Sequence, residues 1–241
     1  MSSKSRYRPV VSAIGLTYGS YVAGALVILV VATVLGLVGV DLSSRPSLRV
    51  VLSSFLLQGV TFGGIAVLYV KGRDLGFGFV PVRRPGRREG IVIVGGSIAI
   101  LALVYVASSV LSAIGLNSAQ NQIAVIGQQN PRVFLILIPL QFLLVGPGEE
   151  LLFRGLVQGT LRETLHPARA IVLASALFAS IHLFSLTGKG KLVYVGIAFV
   201  LAIVLGVTYE YTDNLTVPAV IHGTYNAVLF ASAYIAATGG L

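Results

Sequence analysis

Seven long apolar runs dominate the chain, at approximately residues 10–40, 48–70, 90–116, 132–162, 168–187, 191–212 and 215–237. About 20 apolar residues rising about 1.5 Å each cross a hydrocarbon core of roughly 30 Å, so each run is long enough to span a bilayer as a helix. The pattern predicts an all-α, polytopic transmembrane bundle of about seven helices, with six to eight as the range because the sixth run could split. The first and fourth runs exceed the length needed, which predicts tilt or a kink. Pro139 and the Gly146, Pro147, Gly148 sequence mark the expected distortion in the fourth.

Composition excludes the main alternative. Only 10% of the 241 residues are charged, whereas soluble domains carry about 25%, and so few charges cannot cover a water-soluble core. There is no cysteine, which rules out disulfides, thiolate metal sites and a cysteine nucleophile; a metal would have to be held by His, Glu, Asp or Asn. The net charge of +9 does not imply a nucleic-acid partner, because the basic residues lie mostly between the apolar runs, where membrane topology accounts for them. The first run is too long for a cleavable signal peptide and is read as a retained helix.

The basic clusters orient the bundle. Lys4, Arg6 and Arg8 precede the first run, Lys71, Arg73, Arg83, Arg84, Arg87 and Arg88 separate the second from the third, and Arg162 and Arg169 flank the turn between the fourth and fifth. All three clusters fall on one side if the spans alternate, which predicts a multi-pass protein of the cell membrane with a cytoplasmic N-terminus. Lys189 and Lys191 fall on the opposite side and count mildly against the scheme. No internal repeat stands out, and residues 72–90 read as a basic loop with Pro81 and Pro85, so residues 1–241 are read as one integral membrane domain.

Of the eight acidic residues, Asp41, Asp74, Glu89, Glu163, Glu210 and Asp213 lie near the ends of runs, where water reaches them. Glu149 and Glu150 lie inside the fourth run. A charge there costs at least about 2.5–3.5 kcal/mol on the lenient insertion scale, so partners or a hydrated cavity must compensate. Glu150 and Arg154 are four residues apart with the acid N-terminal, the favourable order for a pair on one helix face. Glu149 is rotated by about 100° from Glu150 and is the carboxylate left to face the bundle interior. As a structural ion pair alone, one acid would suffice.

His182 lies deep in the fifth run, and His222 and Asn226 lie one turn apart in the seventh. Glu149 and His182 are about 13 and 14 residues from the arginine-rich ends of their runs, which puts both about 20 Å deep. His222 and Asn226, about 7 and 11 residues in, are close enough to line the same cavity. A desolvated carboxylate is a stronger base toward water, and a neighbouring imidazole can share the proton or hold a metal. A second imidazole and an amide NH₂ offer donors to the oxyanion formed when water adds to a peptide carbonyl. Alternatively, Glu149, His182 and His222 make a zinc site with an open position for water. The residues alone leave the two open, with Zn²⁺ or no cofactor.

Other chemistries lack their residues. His166 precedes Pro167 in a turn and reads as interfacial. The serines lack a Gly-x-Ser-x-Gly setting, and His-Glu-x-x-His is absent.

The spaced motifs Glu149-Glu150-x-x-x-Arg154, Phe178-x-x-x-His182 and His222-x-x-x-Asn226 resemble, in order, the signatures of the CAAX-processing and bacteriocin-processing (CPBP) intramembrane endopeptidases, which include the type II CAAX prenyl endopeptidases. The resemblance covers a core of about residues 132–237. It implies a helical fold with a cavity open toward the membrane or cytoplasm, and a hydrolase acting on membrane-embedded or lipidated peptide substrates. It also implies that Glu149 and His182 activate water, that His222 and Asn226 stabilise the oxyanion, and that Glu150 and Arg154 support the site. Family members have been described both as zinc enzymes and as metal-independent glutamate proteases. Two rival readings remain: a proton- or ion-coupled transporter using Glu149 and His182 as a relay, and a non-catalytic membrane scaffold or immunity protein.

Overall fold

The computed structural model describes residues 3–239, with side chains from Tyr7 onward except that of Phe77. Lys4 and Arg6 of the topology scheme lie outside the described side chains. Among the described residues, 7 helices are long and apolar enough to cross a membrane: Tyr7–Leu37, Pro46–Gly72, Arg87–Ala113, Arg132–Arg162, Pro167–Ser185, Lys191–Thr212 and Thr216–Thr238. The expected all-α bundle is therefore present, each run within a few residues of its expected place. The sixth helix is continuous and does not split.

These helices bury small residues inward and leave large ones for lipid. In the first span Ala13, Thr17 and Ser20 are buried, while Val22, Leu26, Leu29, Val30 and Val34 are each more than half exposed on its outer face. A protein in water would not leave such a stripe bare; in a bilayer the acyl chains cover it. The first span packs on the second, fourth and fifth, the fifth on the sixth, and the seventh on the third and fourth.

One half of the bundle is densely filled. Phe62, Leu152, Phe153, Leu156, Val157, Ala170, Ala174 and Phe178 form the largest apolar core, toward the arginine-rich end. Charged pairs close that end: Arg73 meets Glu163 at 2.7 Å and Arg162 meets Glu210 at 2.8 Å. Beside them, buried Asn214 accepts from the Arg83 backbone N–H at 3.0 Å and donates to Glu89 at 3.1 Å, tying the basic loop to the turn between the last two spans.

The opposite end carries two features that the apolar pattern does not announce. A short helix, Gln122–Gln129, follows the third span, capped by the Asn121 side chain accepting from the Ile123 N–H at 2.9 Å. Just before it, strand β1 (Gln120–Asn121) pairs antiparallel with β2 (Leu186–Thr187), Gln120 opposite Thr187 and Asn121 opposite Leu186. The segment after the third span is thus tied to the end of the fifth, a few residues beyond His182.

The fourth span is irregular where irregularity was expected. Pro139 has no N–H to give, and its ring crowds the preceding turn. A π-helical stretch follows at Gln141–Val145, then a regular turn at Gly146–Glu150, then a second π stretch at Leu151–Gln158. The second span has its own π stretch, Phe55–Phe62, opposite this region. Wide turns of this kind concentrate at functional sites, because they re-aim side chains without ending the helix.

Candidate active site

Glu149 and Glu150 occupy the regular turn between the two π stretches, and the glycines beside them set how closely neighbouring spans approach. A methyl group on Gly148 would stand 2.7 Å from both Cβ and the carbonyl oxygen of Gln58 in the second span. One on Gly146 would stand 2.7 Å from the Ala219 carbonyl of the seventh. Only glycine admits such contact between helices, and it brings the acidic turn against spans two and seven.

The two carboxylates then diverge. Glu150 is fully buried; one of its oxygens accepts from Arg154 Nε at 2.9 Å and the other from His222 Nδ1 at 2.9 Å. Arg154 is also fully buried, and its guanidinium lies 5.4 Å from the centre of the Phe178 ring. Its two terminal nitrogens have no hydrogen-bond partner; the ring face offers a partial substitute. Glu149 points the other way. Its Oε1 accepts a long bond from Gln58 Nε2 at 3.4 Å, and its Oε2 is 3.9 Å from His222 Nε2.

The two histidines are each fixed through Nδ1. In His222 that nitrogen donates to Glu150, which turns Nε2 toward Glu149. In His182 it donates to the Phe178 carbonyl at 2.8 Å, which leaves Nε2 with its lone pair in the neutral ring. Phe178 packs between them, 4.7 Å from His182 and 5.9 Å from His222, centre to centre. Asn226 donates from its amide nitrogen to Gln141 Oε1 at 2.8 Å and keeps its second N–H.

Glu149, His182, His222 and Asn226 all line one cavity of about 440 Å³, together with Gln58, Gln141, Tyr194 and Tyr225. Three different spans supply the four predicted catalytic side chains. Glu150 and Arg154 sit behind the wall, in contact with His222 or Glu150 and not with the cavity. His166 caps the fifth span at the exposed end, with Nδ1 accepting from the Ala168 N–H at 3.4 Å.

The sequence offers Glu149, His182 and His222 as a zinc set. Among the described residues no three His, Asp or Glu side chains group closely enough to hold a metal ion. Each histidine is anchored through Nδ1 and keeps its Nε2 unanchored, and His222 Nε2 lies 3.9 Å from Glu149 Oε2.

Two side chains next to these groups were passed over in the sequence. Gln58 contacts Glu149, and Gln141 holds Asn226. Both were detectable as amides inside apolar runs, where a primary amide needs a specific partner. Their pairing to the acid and the Asn was not, since it depends on the close approach of spans that only the glycine contacts reveal.

A helical bundle with a carboxylate and two anchored imidazoles around an internal cavity defines a multi-pass membrane protein with a buried polar site. Residues 131–228, across the fourth to seventh spans, match the family described as type II CAAX prenyl endopeptidase Rce1-like. No curated protein and no solved structure matches the chain.

Proposed function

We propose that the protein is an intramembrane endopeptidase that hydrolyses peptide bonds of membrane-associated substrates with a water activated by Glu149 and His182. The observation that carries this reading is the shared cavity: a carboxylate with only one long hydrogen bond, two imidazoles and a free amide N–H face the same space. Glu149 takes a proton from water while the free Nε2 of His182 orients that water. Oxygen adds to the carbonyl carbon, and the negative charge develops on the carbonyl oxygen. The His222 Nε2 and Asn226 amide are the donors available to it. A ring already donating from Nδ1 donates from Nε2 only as imidazolium, and the Glu150 carboxylate is its counter-ion at 2.9 Å. Glu149 returns its proton to the leaving nitrogen as the C–N bond breaks. Positioned acid–base chemistry contributes about 10²–10⁴-fold, and each oxyanion donor about 10²–10³-fold.

Glu150 and Arg154 are positioning residues in this scheme: Arg154 holds Glu150, and Glu150 holds His222. Prenylated CAAX-type peptides are the substrate class that the family match suggests. The test is cleavage by purified protein in detergent, with no ion gradient, of a membrane-anchored peptide, followed by mass spectrometry of both fragments. Two fragments summing to substrate plus water support the reading. Gradient-dependent flux in proteoliposomes, abolished by Glu149→Gln and unaccompanied by cleavage, supports a transporter instead.

A further inference from the structure

The second span sets an amide against Glu149. Gln58 lies in the π stretch Phe55–Phe62, where the turns are wider than in a regular helix. Thr61 matches that width: its buried hydroxyl donates to the Leu56 carbonyl, five residues back, at 2.8 Å. The Gln58 backbone meets the acidic turn directly, since a methyl group on Gly148 would stand 2.7 Å from the Gln58 Cβ and carbonyl oxygen. From that fixed point the side chain reaches the next residue, and Nε2 donates to Glu149 Oε1 at 3.4 Å. Among the described residues this is the one hydrogen bond to the Glu149 carboxylate. The other oxygen, Oε2, is left toward His222 Nε2, 3.9 Å away.

The second half of the same amide is unspent. Gln58 Oε1 is buried and has no hydrogen-bond partner, a state that protein interiors avoid. An amide is a donor on one side and an acceptor on the other, and a half-turn of its terminal torsion exchanges the two. A carboxylate needs the donor, whereas a carboxylic acid, with a proton on one oxygen, needs the acceptor. Gln58 therefore carries a partner for Glu149 both before and after Glu149 takes a proton from water, and itself neither gains nor loses one. A lysine or arginine here could serve only the first state.

We propose that Gln58 is a positioning residue for Glu149, holding one carboxylate oxygen so that the other is presented to the cavity that both side chains line. The site then extends to the second span, outside residues 131–228. The inference rests on the peptidase reading, because what Gln58 holds is the base of that reaction.

The experiment is kcat and KM for cleavage of a membrane-anchored peptide by purified protein in detergent, with thermal unfolding of every form. Wild type is compared with Gln58→Met, Gln58→Glu, Glu149→Gln and the double variant Gln58→Met with Glu149→Gln. Methionine keeps the length and loses both hydrogen-bonding groups; glutamate keeps the shape and sets an oxygen against the carboxylate in place of the N–H. Each single change at Gln58 should lower kcat by about tenfold or more, with KM changed by less than about twofold. Added to Glu149→Gln, Gln58→Met should lower the residual rate by less than about twofold, because the group it acts through is gone. A folded Gln58→Met or Gln58→Glu protein with wild-type kcat would overturn the proposal. So would a Gln58→Met loss as large in the Glu149→Gln background as in wild type, the result expected of packing alone. Should Gln58→Met fail to fold, Gln58→Glu decides on the same split of kcat and KM. Wild type that cleaves no peptide would overturn the peptidase reading and this proposal together, whereas cleavage unaffected at Gln58 would overturn this proposal alone.

Discussion

The Glu150 carboxylate holds His222 by its Nδ1 at 2.9 Å across two spans, with Arg154 on its other oxygen at 2.9 Å. All three are buried, Glu150 and Arg154 completely. The contact sequence Arg154, Glu150, His222 therefore runs from the packed core to the cavity wall, and it separates the two adjacent acids by role. One holds the wall of the cavity; the other lines the cavity itself.

Removing Glu150 should damage the fold. Glu150→Ala leaves Arg154 without its one anionic partner in a low-dielectric interior, and breaking a buried pair in this way costs about 3–5 kcal/mol. Thermal unfolding in detergent should show a clear loss of stability. Glu150→Gln, which keeps an acceptor for one partner, should fall between Ala and wild type, and should alter the pH profile of cleavage because His222 loses its counter-ion.

The helix contact at Gly148 is predicted to be intolerant of the smallest side chain. Its Cβ would stand 2.7 Å from Gln58 Cβ and carbonyl oxygen, which the backbone must yield to accommodate. Gly148→Ala should destabilise by about 1–3 kcal/mol, the usual range for overpacking. It should also lower activity, since Glu149 follows immediately. Gly95→Ala, where a Cβ meets nothing within 4 Å, is the control and should leave both nearly unchanged.

Asn226 is expected to act on the transition state. Asn226→Ala should lower kcat by about 10²–10³-fold, the loss typical of one oxyanion donor, with a much smaller change in KM. Gln141→Ala removes the acceptor that orients Asn226 and touches no reacting atom, so its effect on kcat should be smaller and in the same direction.

Metal dependence is a separable prediction. Because among the described residues no three His, Asp or Glu side chains group closely enough to hold a metal ion, cleavage by protein stripped with a chelator should persist. Activity that disappears on chelation and returns stoichiometrically with Zn²⁺ would restore the Glu149, His182 and His222 ligand set.

The sequence made the spans legible because bilayer thickness sets a minimum length for every apolar run, and the runs here are long and nearly free of charge. Glu149, Glu150, His182, His222 and Asn226 were legible for the complementary reason: polar groups are scarce in hydrocarbon, so each one is a signal. The rotation of Glu149 away from Glu150 followed from helical geometry, and the Glu150 pair with Arg154 has the expected spacing. What the pattern did not reveal depends on contacts between segments distant in the chain. The Glu150 bond to His222 spans 72 positions, and the tie between Asn121 and Leu186 joins a polar connection to the end of the fifth run, 65 positions away.

The most direct test of the central claim is the cleavage rate of Glu149→Gln in detergent, measured beside wild type and beside a check that both are equally folded. Glu149 has one hydrogen bond of 3.4 Å, so the amide should fold as well as the acid. The account predicts a fall in kcat of about 10²-fold or more with unchanged thermal stability. A folded Glu149→Gln protein that cleaves peptide at the wild-type rate would contradict it.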